Sequence, residues 1–371
     1  MRTRSIGETT VSAVGAGDVS LAIAASRGVD HREVERALTS ALAMGLSLVD
    51  VHPEVDAERL AGEVVRSQRA RDHAILTTHV ERLAGREGPI EQMPPGYLQE
   101  RVEAALRSTR LDALPLVLLE LRPTWTTSRA WPELVGTAAR LVREGKVLAY
   151  GASLSDEDAA LPLEDHGKLL AEHWLVALSV AFNACTRTAL PLIEAATAAV
   201  TYGPEAPPPA PGRAPMVVSM FDLIAETKVS PSRPIRRTVP LAILARQPLA
   251  GGALAGHLGP GAKLSPRDDR ELDPEALERI AVRVARLAAL VRTTPPAARA
   301  SKAARETLEA TKRPEQMVAF TLAELALRYV VDRGAIALPR LHRNETIPEA
   351  LLACAGDPLP PEITAVLEEK L

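Results

Sequence analysis

Four residues of the types that do chemistry fall at or just past the ends of short apolar runs. Asp50 closes Leu46-Ser-Leu-Val-Asp50 and His52 follows two residues later. His79 closes Ala74-Ile-Leu-Thr-Thr-His79, and Glu120 closes Pro115-Leu-Val-Leu-Leu-Glu120. If the runs are neighbouring strands, these side chains gather at one rim. Two imidazoles and two carboxylates are ligand types for zinc, iron or manganese, so one reading is a metal-dependent hydrolase or lyase. No H-x-x-E-H or H-E-x-x-H spacing accompanies them. No Gly-x-Ser-x-Gly elbow presents a nucleophilic serine. Cys185, beside Asn183, reads as a structural thiol, and His31, His73 and His166 read as solvated surface.

The elements that must position these residues alternate along the chain. Arg4 to Gly17 reads as a hairpin followed by a strand over Val11–Val14. An amphipathic helix starts after Asp30, with Val34, Ala37, Leu38, Ala41 and Leu42 on one face, and Gly45 stops it. Helical patterns at 57–66, 98–108, 131–144, 166–172, 188–199, 275–291 and 317–331 then alternate with apolar runs at 74–79, 115–120, 147–152, 175–182, 239–244 and 335–338. Such alternation argues for a parallel sheet, and eight strand-helix units argue for a closed α/β barrel, the (β/α)8 TIM barrel, with an N-terminal hairpin. A doubly wound open sheet would want a glycine-rich phosphate turn after an early strand, and Gly15-Ala-Gly17 leads into no G-x-G-x-x-G.

Composition bounds the rest. With 46% apolar and 25% charged residues the chain can bury a large core, and with 3% aromatics that core is built from Ala, Leu, Val and Ile. A net charge of -3 leaves no footprint for nucleic acid or an anionic membrane. Two cysteines make neither a disulfide framework nor a zinc cluster. The opening Met1-Arg-Thr-Arg-Ser-Ile-Gly7 lacks an apolar signal region, and no run approaches about 18 apolar residues, so a cytoplasmic protein is expected.

Several phrases, in order along nearly the whole chain, resemble the aldo/keto reductase family. They are Arg4-Ser-Ile-Gly7 with Val11-Ser-Ala-Val-Gly-Ala-Gly17, Ala41-Leu-Ala-Met-Gly-Leu-Ser-Leu-Val-Asp50 with Glu58-Arg-Leu-Ala-Gly62, and Leu111-Asp112. Val142-Arg-Glu-Gly-Lys-Val-Leu-Ala-Tyr-Gly-Ala-Ser153 and Gln247-Pro-Leu-Ala-Gly-Gly252 complete the series. The resemblance implies a single barrel domain over 1–371, NADP(H) as cofactor, and carbonyl reduction by an Asp, Tyr, Lys and His set. Tyrosine hands a proton to the carbonyl oxygen, lysine and histidine tune it, and aspartate holds the lysine. In this chain the positions equivalent to that set are Asp50, Val55, His79 and Glu120. Valine has no proton to give, and loss of tyrosine and lysine together argues against ordinary carbonyl reduction. Cofactor positions carried over are Ser153, Asn183, Leu249, Gly252 and Arg340. The family's Ser-Asn has become Ser153-Leu154, its glutamine falls at Ser179, and its ring-stacking tyrosine falls at Arg246. Arg340, His342 and Arg343 retain charge that can meet a phosphate.

Three functions stay open at this point: a diverged binding or scaffold protein, an atypical NADP-dependent oxidoreductase acting on a carbonyl or enone, or the metal-dependent enzyme. Insertions are expected at 202–237 and 293–312. The first carries the proline-rich run from Pro204 to Gly212, then an apolar segment, Met216 to Ile224. That segment is expected to mediate self-association or to hold a protein partner; the pocket itself is expected to take a small molecule.

Overall fold

Residues 1–67, 74–197, 240–256, 274–288 and 321–370 are described by the computed structural model. The insertions at 202–237 and 293–312, the segment 216–224 and His73 lie outside the described residues.

Thr3–Ile6 (β1) and Thr9–Ser12 (β2) pair antiparallel and turn at Gly7, whose φ of 56° suits a residue without Cβ. Eight parallel strands follow, each bonded to the next in sequence order: Ala16–Val19 (β3), Leu48–Val51 (β4), Ile75–Val80 (β5), Leu116–Glu120 (β6), Tyr150–Ser153 (β7), Leu175–Ala181 (β8), Ala242–Arg246 (β9) and Ile336–Leu338 (β10). A parallel bridge between Val14 and Ala337 closes the ring, with Ala337 N donating to Ala13 O (3.0 Å), Gly15 N to Ala337 O (2.9 Å) and Gly17 N to Pro339 O (2.8 Å). Closure depends on the two glycines. A Cβ at Gly17 would collide with the Leu338 carbonyl, and one at Gly15 would lie 2.8 Å from Leu48 O. This is a (β/α)8 barrel, and the glycines serve strand approach rather than a phosphate turn.

The first barrel strand is Ala16–Val19, not the Val11–Val14 run expected from the sequence. Both stretches alternate, and period 2 alone does not separate a hairpin arm from a barrel stave. Val11 instead points with Ile6 into the barrel's N-terminal end and plugs it, packed with Leu48, Ile75, Leu116, Ala177, Ala242 and Ile336.

The helices form the outer layer. His31–Ala43 is capped by Asp30, which accepts from Glu33 N (2.9 Å), and buries Val34, Ala37, Leu38 and Ala41. Val55–Ser67, Pro95–Thr109, Trp131–Arg143, Leu163–Leu170, Leu190–Thr197 and Leu322–Asp332 alternate with the strands in the same way. Leu163–Leu170 starts earlier than its sequence pattern suggested, which turns His166 inward. His166 is buried rather than solvated, with ring nitrogens 3.1 and 3.0 Å from the Pro162 and Asp158 carbonyls. Two C-terminal helices, Ile347–Ala355 and Pro361–Lys370, were not read from the sequence. Among the described residues no helix is long and apolar enough to cross a membrane.

Candidate functional site

Side chains on a strand face inward at every second position. On β4 the inward set is Leu48 then Asp50; on β5 it is Ile75, Thr77, His79; on β6, Leu116, Leu118, Glu120; on β9, Ala242, Leu244, Arg246. The lower members are mostly aliphatic and fill the barrel. The uppermost is polar on each of these strands and on β7, where it is Ser153. The chain therefore lines the C-terminal mouth, where barrel sites are built, with Asp50, His79, Glu120, Ser153 and Arg246, and all five border one cavity of about 1010 Å³.

Asp50 is 1% exposed, yet three donors hold it. Thr77 Oγ1 lies 2.5 Å and His79 Nε2 2.8 Å from its Oδ1, and Asp18 N donates to Oδ2 at 3.3 Å. Burial alone would raise its pKa; the charge and hydrogen bond of His79, with the Thr77 hydroxyl, outweigh it and hold the carboxyl below its ordinary value. The pairing of Asp50 with His79 occupies the place where the family sets aspartate against lysine.

Beside it, Asp18 joins His52 and Arg340. Its Oδ1 is 3.2 Å from His52 Nδ1, and its Oδ2 accepts from Arg340 Nε at 2.9 Å and from Arg340 Nη2. Burial opposes ionisation of Asp18, but His52 and Arg340 drive its pKa far down. In return the Asp18 hydrogen bond raises His52 against the lowering effect of burial, helped by the charges of Asp18, Glu81 and Glu54. Asp18 sits at φ 46°, in the left-handed region, and Gln247 (51°) and Ala250 (48°), in the loop that follows β9, do the same. Such backbone strain, of order 1–3 kcal/mol each, concentrates where a site constrains the chain.

Glu120 is not a free acid. Arg82 Nη2 lies 2.9 Å from its Oε1 and Arg82 N donates to its Oε2 at 3.0 Å, while Arg82 Nη1 reaches Asp158 Oδ2 at 2.9 Å. Val55, which the resemblance puts at the tyrosine position, opens the helix Val55–Ser67, is 59% exposed and does not border the cavity. Ser153, Leu249, Gly252 and Arg340 border it; Asn183 does not. Asn183 is a loop clamp, with Nδ2 donating to Gln247 O (2.9 Å) and Oδ1 accepting from Cys185 N (2.9 Å) and Thr186 N (2.8 Å). Ser179 is buried below the mouth.

Sequence reading missed Arg82, Asp158 and Asp18. Arg82 and Asp158 carry no motif, and Asp18 lies just past Gly17, where the reading of the first hairpin and strand ended. Among the described residues no three His, Cys, Asp or Glu side chains form a group able to hold a metal ion. The reason is visible in the pairing: His52 is spent on Asp18, His79 on Asp50 and Glu120 on Arg82.

The model of the aldo/keto reductase family matches residues 13–198. The chain is also similar to solved structures. An aldo-keto reductase from Klebsiella pneumoniae in complex with NADPH is 19% identical, with 99% of this chain and 94% of that one covered at a TM-score of 0.56. For a glycerol dehydrogenase from Gluconobacter oxydans the values are 16%, 100%, 95% and 0.61. For an aldo-keto reductase from Bacillus halodurans in its holo form they are 17%, 100%, 96% and 0.59. At these identities the likeness is one of fold. No curated protein matches the chain.

Proposed function

The chain belongs to the aldo/keto reductase family, and from that premise we propose that it is a non-reductase member, a binding protein whose barrel mouth takes a small molecule. One observation carries the reading: nothing at the tyrosine position can protonate a carbonyl, because Val55 has no proton and stands outside the cavity. A positioned general acid contributes about 10²–10⁴-fold to rate, roughly 3–5 kcal/mol, and Glu120, held by Arg82, does not stand in for it.

NADP(H), which the Klebsiella pneumoniae relatives carry, fits this mouth poorly at its inner end. Among the described residues no Phe, Tyr or Trp borders the cavity to stack on a flat ring, and Ser179 and Asn183 do not border it. Arg246 brings a positive charge against an oxidised nicotinamide, which is itself cationic. At the outer end Arg340 and Arg343 border the cavity together with Glu345 and Glu349.

A second reading, an atypical NADP-dependent oxidoreductase, is favoured by His79. It borders the cavity, its Nε2 is fixed by Asp50, and its Nδ1 has no hydrogen-bond partner among the described residues. That nitrogen can carry a proton to or from a ligand. The two readings separate in one experiment: titrate the purified protein with NADPH by fluorescence, and follow NADPH consumption with a panel of aldehydes, ketones and enones. The binding-protein reading expects no turnover. Turnover of several carbonyls that disappears in Asp50→Ala or His79→Gln overturns it in favour of the second.

A further inference from the structure

We propose that the ligand of this mouth is an aliphatic carboxylate and that Arg246 anchors its head group; the proposal rests on the reading of the mouth as a small-molecule site. Arg246 ends β9 on the inward face, above Leu244 and Ala242, and in register with Leu338 of β10. A guanidinium carries five N–H donors in a planar fork. Here one interaction is made, from Nη2 to Leu154 O at 2.5 Å. The Nε is sealed from solvent and has no acceptor, and Nη1 has none among the described residues. The Nε is too enclosed for a ligand atom to reach, so a carboxylate would meet the fork along its Nη edge, where Nη1 is unmet.

Charge points the same way. Most of the acidic side chains of the inner mouth already have partners, Asp50 in His79, Asp18 in His52 and Arg340, and Glu120 in Arg82, while Glu81, Glu345 and Glu349 also border the cavity without an ion pair to Arg246. Arg343, at the rim, lies 3.9 Å from Glu33. Arg246 has no carboxylate within ion-pair distance among the described residues. An uncompensated cation in a partly dry cavity costs free energy unless an anion meets it, and a carboxylate matches the fork by two parallel hydrogen bonds. Ser153, at the equivalent height on β7, borders the same cavity and brings a hydroxyl to it. Leu249, Leu327, Leu338, Ala255 and Ala323 are among the apolar residues of the wall. Among the described residues no Phe, Tyr or Trp lines that wall, which favours an aliphatic body over an aromatic one. At about 1010 Å³ the cavity is at the roomy end of small-molecule pockets, so the body extends well beyond a two-carbon acid.

The test is calorimetric titration of the full chain with sodium octanoate and, separately, with uncharged octanamide. Octanoate is expected to bind, and octanamide about ten- to a hundredfold more weakly, the range expected when a charge-assisted pair is replaced by neutral contacts. Arg246→Gln should reduce octanoate affinity by a similar factor and leave octanamide nearly unchanged. Arg246→Lys, which keeps the charge and loses the fork, should fall between. Equal affinity for acid and amide overturns the proposal without reference to any variant, as does undiminished octanoate binding in a folded Arg246→Gln protein. No binding of octanoate to the unsubstituted chain also overturns it. The outcome is separable from the parent reading: NADPH-dependent turnover sinks the binding-protein reading whether or not octanoate binds, while no turnover with no octanoate binding sinks the carboxylate proposal alone.

Discussion

Asp50→Asn tests whether the buried carboxylate is held by its charge or merely by its shape. The side chains are isosteric, so no cavity opens. In the native protein the Thr77 hydroxyl and His79 Nε2 both address Oδ1, at 2.5 and 2.8 Å, and Asp18 N addresses Oδ2. An asparagine that keeps its oxygen toward Thr77 and His79 turns its NH2 against the Asp18 N–H, donor facing donor. Flipped, it presents donors to both Thr77 and His79. Two charge-assisted bonds at about 1.5–3 kcal/mol each become neutral ones at about 0.5–1.5, a loss of roughly 2–3 kcal/mol at pH 7. For 371 residues an unfolding entropy of about 2.1 cal/mol/K per residue converts this to about 3 °C in melting temperature. The difference must also depend on pH with a definite sign. Because the folded-state pKa of Asp50 lies below its ordinary value, its ionised form contributes stability that is fully present above about pH 4. That contribution is lost as pH falls through the folded value. Asp18 has the same sign but is retained in both proteins and largely cancels. Urea unfolding of both proteins from pH 7 to pH 3 should therefore show a constant gap down to about pH 4, then a narrowing one. A gap under about 0.5 kcal/mol at neutral pH, or one that widens on acidification, would refute the assignment of Asp50 as a charge held by His79.

His52, raised by its hydrogen bond to Asp18, should titrate above about 6.5 in a proton NMR series and move down in Asp18→Asn. The stability it contributes is present below the unfolded value and lost as pH rises through the folded one; a native midpoint at or below the ordinary value contradicts this. Val55→Tyr alone should not create aldehyde reductase activity, since the position is 59% exposed beside the cavity rather than in it and His79 is spent on Asp50. The pair Val55→Tyr/His79→Lys is the fair comparison, assayed by NADPH consumption, and a fully active single variant contradicts the reasoning. Deleting Pro204 to Ser232 and joining the ends with a short glycine-serine linker should lower the mass found by light scattering if Met216 to Ile224 mediates self-association. Unchanged mass with a lower melting temperature assigns the segment to its own chain.

Within the sequence alone, the stretches Leu48-Val-Asp50, Ile75-Leu-Thr-Thr-His79 and Leu116-Val-Leu-Leu-Glu120 already determined that aspartate, histidine and glutamate face one mouth. Strand period and strand direction are local properties, so residues two and four positions earlier share the face of the residue that ends the run. The eight-unit count determined the barrel in the same local way, and the helix face Val34, Ala37, Leu38 and Ala41 followed from its 3.6-residue spacing. What the tertiary structure decided is who neutralises whom. Arg82 reaches Glu120 and Asp158 from a loop whose sequence has no period. Asp18 meets Arg340 only because the ring closes at Gly15 and Gly17, bringing β3 against β10. Arg246 is left without an ion-pair partner among the described residues, while Asp50, Glu120 and Asp18 of the same mouth are held by partners distant in sequence. Periodicity reports which way a side chain points, whereas an ion pair depends on distances between elements that exist only once the barrel is closed.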